Sequence, residues 1–228
     1  MGLPNGVHHL AICTKDIKQQ IEFFTQVCGM ELVALYWMHG VKNTFHGFLK
    51  LNDNSSIALV ASSEIGEIQP IKGVSHAAWT ASPVAAGVMQ HLALNVDTEA
   101  DLLTMRDRVR EHGHWVMGPI DHGFCKSIYF GGPEGMMLEF STSEGQTIDA
   151  EAWIDPEVVK LAGISAEDLK RYKAPAPYDS KGGKVAQVPF EQSKIKMDFP
   201  PENRAVLKMT DEEVTRRLSE TTPPVQVS

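Results

Sequence analysis

One four-residue phrase occurs twice in the 228-residue chain, and no other feature constrains the fold as much: His-Leu-Ala-Ile at residues 9–12 and His-Leu-Ala-Leu at residues 91–94. So short a match gains weight from the residues after each copy. After the first, Asp16 can start a helix carrying Ile17, Ile21, Phe24 and Cys28 at helical spacing, ended by Gly29. After the second, Asp97 or Thr98 can cap a helix carrying Leu102, Met105 and Val109, ended by Gly113. Strand-like runs come next at 30–37, 44–51 and 56–63, and again at 115–120, 125–131 and 136–142. Turn chemistry joins them at Asn52-Asp53-Asn54 and at residues 132–135. The chain therefore reads as α+β, with one βαβββ module at 6–63 and a second at 89–145. The linker 64–88 is broken by Gly66, Pro70, Gly73, Pro83 and Gly87. Residues 146–228 read as an extension without a core of its own. Short helices start there near Asp155, Ser165 and Thr210, around a Pro-, Lys- and Gly-rich stretch at 173–205.

Strand parity then sorts the polar residues. Alternate side chains of a strand face opposite sides, so His9 and Ala11 share one face while Leu10 and Ile12 share the other. His91, Ala93 and Asn95 likewise lie opposite Leu92 and Leu94. If the apolar faces pack under the helices, each histidine is left on the concave side of its sheet. Glu139, with Met137 and Ser141, occupies the matching face of the last strand, and Tyr129 lies ten residues earlier with the same parity. A carboxylate in so apolar a strand is costly unless its charge is compensated, and a cation would do that. Two imidazoles and one carboxylate leave coordination positions open, which is the pattern of catalytic metal sites. His8 has the wrong parity to join them.

The composition narrows the partners. With 29 acidic against 21 basic residues, the net charge of −8 argues against nucleic acid and anionic membranes, which reward basic patches. Cys13, Cys28 and Cys125 have no disulfide or zinc spacing and read as reduced thiols. No run approaches the ~20 apolar residues of a membrane span. The first nine residues lack signal-peptide character. The expectation is a cytoplasmic protein.

His9-Leu-Ala-Ile with Asp16 and Phe23-Phe24, its repeat at His91, and the run from Pro133 to Glu139 resemble the vicinal oxygen chelate superfamily. That group spans glyoxalases, bleomycin-resistance proteins, epimerases and extradiol dioxygenases, and the resemblance covers roughly residues 6–145. It implies that the two modules pair into a cup around one divalent metal ion, held by His9, His91 and Glu139. Glyoxalase-type members usually add a glutamate from the first module's last strand, but residues 56–61 here carry no carboxylate. The remaining three-ligand set is that of the extradiol enzymes and favours Fe(II) or Mn(II), with Zn(II) and Ni(II) also accepted. The resemblance further implies a dioxygenase acting on a catechol- or enediol-like small molecule, with Tyr129, His46 and His122 as catalytic groups. Trp37, Phe45, Phe48 and Trp79 are candidates for an aromatic wall. A homodimer is implied by the family and by the extended tail. The competing readings are a glyoxalase- or epimerase-type lyase or isomerase, and a metal-free small-molecule binder.

Overall fold

The computed structural model describes residues 3–226. In the first module, β1 (His9–Thr14) leads into α1 (Ile17–Glu22), which widens into a single π turn over Phe23–Val27. The antiparallel strands β2 (Glu31–Trp37), β3 (Thr44–Asn52) and β4 (Ser55–Ser62) come after it. The Asp16 side chain accepts the Gln19 amide, as its place before the helix suggested. β1 returns to pair parallel with β4, giving the sheet order β1-β4-β3-β2. The linker is less featureless than expected: Ser62 caps a short helix, α2 (Ser63–Glu67). The second module repeats the plan of the first. It consists of β5 (Leu92–Asn95), α3 (Glu99–Glu111), β6 (Val116–Asp121), β7 (Lys126–Gly131) and β8 (Met137–Thr142), in the order β5-β8-β7-β6. Thr98 and Asp101 form a full capping box at the start of α3.

The apolar faces of both sheets and their helices bury one shared core. Phe24, Leu49, Ile57 and Leu59 come from the first module, and Leu102, Val109, Ile128, Phe130 and Leu138 from the second. Removal of each such side chain from water is worth ~1.5–3 kcal/mol.

The second module also grips the first module's helical segment at both ends. At its N-terminal end the Glu134 carboxylate accepts the Lys15 amide (2.9 Å) and the Gln20 side-chain amide (2.9 Å). At its C-terminal end the Arg108 guanidinium donates to the Gln26 carbonyl at 2.8 and 3.1 Å. An anion at the start and a cation at the end of a helix both complement its dipole. Between them Phe23 packs against Phe130 and His114.

Beyond β8 come α4 (Ala150–Trp153), which the sequence did not suggest, and α5 (Pro156–Leu161), capped by Asp155. Both fall in the same compact unit as the modules, which comprises residues 6–38 and 42–163. A second unit comprises residues 3–5, 39–41 and 164–226 of the described chain. It contains α6 (Ala166–Lys173), capped by Ser165, and α7 (Asp211–Leu218), with the Thr210–Glu213 capping box. Two 3₁₀ segments lie between, and no residue of these helices is buried. Among the described residues no helix is long and apolar enough to cross a membrane.

Candidate functional site

The second module's open face is built by strand register. Tyr129 on β7 lies opposite Glu139 on β8, and Ala93 on β5 is the parallel partner of Glu139. Glu139 is 5% exposed. Its Oε2 lies 2.9 Å from His91 Nε2. A carboxylate oxygen and an imidazole lone pair repel each other, so contact at that distance requires a positive species between them, a proton or a metal ion. Two ligands each ~2.1 Å from one cation and about 90° apart would themselves be separated by about 3 Å. The donor types and their separation thus fit two neighbouring positions on a divalent cation.

The other ring nitrogen of His91 is held as well. Nδ1 contacts Gln90 Oε1, and Gln90 is itself anchored by donating Nε2 to the Thr80 carbonyl at 2.7 Å. A carbonyl acceptor at Nδ1 fixes the tautomer that presents Nε2 to the Glu139 side. The sequence reading missed Gln90 because adjacent strand residues normally face opposite ways. His91 precedes the first residue of β5, where that alternation has not begun.

Tyr129 stands edge-on to His91, with ring centroids 6.1 Å apart, and its hydroxyl lies 3.0 Å from His122 Nε2. Burial, reinforced by the charge of Glu139, holds this hydroxyl above the ordinary phenol range. Ser127 and Ser141, bonded to each other at 3.0 Å, line the same face.

The first module presents a separate polar and aromatic cluster. His9 is exposed on β1, with His8 Nδ1 at 2.9 Å and Phe48 edge-on at 5.8 Å. His46 on β3 meets the Tyr36 hydroxyl at 3.2 Å and Phe48 at 4.6 Å between centroids. Ser56, Ala58 and Val60 of β4 share this face, so no carboxylate from that strand joins it. Of the sequence candidates, the structure brings together His91, Glu139, Tyr129 and His122. His9 and His46 lie on the other sheet. Among the described residues no three His, Cys, Asp or Glu side chains form a group that could hold a metal ion.

The aromatic candidates divide in the same way. Phe48 lies on the His9 face. Trp37 and Phe45 are register partners on the opposite face, packed on each other at 4.6 Å and exposed to solvent. Trp79 is an exposed linker residue. Tyr36, one position before Trp37, is the aromatic whose hydroxyl reaches His46. Its parity with His46 was the signal available for finding it.

A family model described as the Glyoxalase/Bleomycin resistance protein/Dioxygenase superfamily matches residues 6–140. Among solved structures, a glyoxylase/bleomycin resistance protein/dioxygenase domain from Frankia sp. EAN1pec aligns with a TM-score of 0.50 and 16% identity. The alignment covers 62% of this chain and 99% of that one. The fosfomycin resistance protein FosX from Listeria monocytogenes aligns at 0.42 and 15% identity, over 61% of this chain and 94% of its own. An antibiotic binding protein from Streptomyces sp. CB03234 aligns at 0.44 and 17% identity, over 63% and 99%. No curated protein matches the chain.

Proposed function

The chain belongs to the glyoxalase/bleomycin resistance protein/dioxygenase superfamily, and from that premise we propose that it is a metal-dependent oxidoreductase acting on a catechol- or enediol-like small molecule. The observation that carries this reading is the buried Glu139 carboxylate in contact with His91, on a face that also holds the Tyr129–His122 pair. His91 Nε2 and Glu139 are two of the metal ligands, and His9 is the third. Because His9 does not join His91 and Glu139 in one ligating group among the described residues, we assign it to the site of a second copy of the chain, each copy lending its first-module face to its partner's second-module face.

When bound, the metal supplies a Lewis-acidic centre for two adjacent substrate oxygens and, as Fe(II) or Mn(II), an electron source for dioxygen. The chain's own residues do the rest. Gln90 orients His91. The Tyr129 hydroxyl donates a hydrogen bond to a substrate oxygen. If that proton passes to the substrate, His122 Nε2, 3.0 Å from the hydroxyl, is placed to return one to Tyr129. The absence of a carboxylate on the His9 face of β4 favours the three-ligand oxygenase over a four-ligand lyase.

The test is anaerobic loading with Fe(II) or Mn(II), measurement of bound metal, then a catechol panel with air. Oxygen uptake with ring cleavage is expected. Tight metal binding with no uptake on any catechol would sink the oxygenase reading, and wild-type metal content in His91→Ala would sink the ligand assignment. Mixing His9→Ala with Glu139→Gln chains should restore binding in the mixed dimer. Failure of that mixture, alongside a wild-type protein that binds metal, refutes the shared site.

A further inference from the structure

His122 is exposed, and an exposed side chain keeps one orientation only if the backbone beneath it is fixed. The turn that carries it, between the end of β6 and the start of β7, is closed from within by two bonds. The His122 amide donates to the Cys125 carbonyl and the Gly123 amide to Asp121 Oδ1, both at 2.8 Å. It is also fastened from outside, by residues that come after β8 and lie beyond the stretch matched by the family model.

Three contacts do this. Gln146 Nε2 donates to Asp121 Oδ1 at 3.1 Å. Phe124 packs edge-to-face on the Trp153 indole, with centroids 4.9 Å apart. Gly123, at φ +84°, lies so close to the same indole that a Cβ there would come within 2.9 Å of Trp153 Cζ2. Residues 121, 123 and 124 are thus each held, on both sides of His122. The one-turn helix α4, capped by Asp149, is what presents Trp153 to the turn. Asp121 stays a charged acceptor, because the Gly123 amide and then the Gln146 amide hold its carboxyl below the usual range.

We propose that residues 146–153 are a positioning strap for the site, in which Gln146 and Trp153 hold the 121–125 turn so that His122 meets the Tyr129 hydroxyl. The proposal rests on the reading of Tyr129 and His122 as the proton-handling pair. Trp153 and Gln146 touch no reacting atom; they act through His122. Strap variants should therefore change proton handling while leaving metal content at the wild-type level.

The experiment uses the full chain labelled on histidine, with His122 identified by its disappearance in His122→Gln. Trp153→Ala and Gln146→Ala should each shift the His122 ring nitrogen signals towards their positions in Tyr129→Phe, leaving those of His46 in place. Exchange of the His122 and Gly123 amides should accelerate by about tenfold or more, since both bonds lose their support. Trp153→Phe, which keeps an aromatic ring against Phe124, should restore the wild-type signals. If Trp153→Ala unfolds the chain, Gln146→Ala carries the test. Unchanged amide exchange in the folded variants overturns the strap. If Tyr129→Phe leaves the His122 ring signals unmoved, the proton pair itself is wrong, and the amide exchange still decides the strap separately.

Discussion

Glu134 gives the sharpest test of how the two modules hold together. It sits in the tight turn before β8 at φ 57°, a left-handed conformation that an L residue adopts at a cost of ~1–2 kcal/mol. Its carboxylate takes hydrogen bonds from the Lys15 amide and the Gln20 side chain at 2.9 Å, and also bonds Thr14 and the Asp16 amide. In Glu134→Ala the exposed backbone donors turn to water, but Gln20 cannot. It is fully buried and its Oε1 already lacks a partner, so the whole amide would be stranded. An unsatisfied buried polar group costs ~1–3 kcal/mol, and with the lost charge-assisted bonds the total should reach about 2–4 kcal/mol. Glu134→Gly loses the same bonds but relieves the backbone, so it should be less destabilised than the alanine variant by about 1 kcal/mol. Urea unfolding monitored by tryptophan fluorescence reads both differences.

The pH dependence has a definite sign. Burial alone would raise the pKa of Glu134, but the bonds from Thr14, Gln20, Lys15 and Asp16 outweigh it and hold the carboxyl below its usual range. A group whose folded pKa is depressed contributes stability above its unfolded value of about 4.3, and that stability is lost as the pH falls through the folded value. The gap between wild type and Glu134→Gln should therefore be full at pH 6 and shrink progressively below about pH 4.3. An alanine variant within about 0.5 kcal/mol of wild type would refute the clamp, because that is the scatter of an ordinary surface substitution.

Burial pushes the Cys28 thiol up to about 12, against the opposing pull of Arg108, whereas Cys13 is exposed. Iodoacetamide at pH 8 should therefore label Cys13 in the folded protein and spare Cys28 until denaturant is added, as read by mass spectrometry of the peptides. At Gly118, φ is +109° and a Cβ would lie 2.6 Å from the Ser127 carbonyl on the neighbouring strand, so Gly118→Ala should cost about 2 kcal/mol or more in the same unfolding assay. Thr98→Ala should cost about 1 kcal/mol through loss of the α3 capping box, and Asp101 should lose the partner that its carboxylate now holds at 2.6 Å.

The elements were legible because local chemistry decided them. The repeated strand, the Asp16 and Thr98 caps, and the two-residue period of β7 and β8 each depend on a few neighbouring residues. Parity alone placed Glu139, Ser141 and Tyr129 on one face, and register sets Tyr129 opposite Glu139 there. What local chemistry did not reach was whatever depended on strand ends or on the face an aromatic takes. Trp37 and Phe45 are close in sequence to His46, yet the odd offset puts them on the far face and leaves Tyr36 as the aromatic partner. The π turn at Phe23–Val27 reads as ordinary helix from its spacing, since one widened turn shifts the later side chains only slightly.

The repeat also has a limit. It shows that His9 and His91 occupy equivalent places in equivalent sheets, but equivalence under a repeat says nothing about distance. Two copies of one module can face each other across a cup, or share a core through their helices and turn their open faces apart. The first arrangement joins the histidines within a chain. Each sheet carries its own polar cluster: His9 with Phe48, His46 and Tyr36, and His91 with Glu139, Tyr129 and His122. The shared core and the Glu134 and Arg108 contacts are features of helix-side packing. Mixing chains tests where the proposed third ligand comes from: a site completed between copies recovers metal when two differently damaged chains meet, and a site completed within one chain does not.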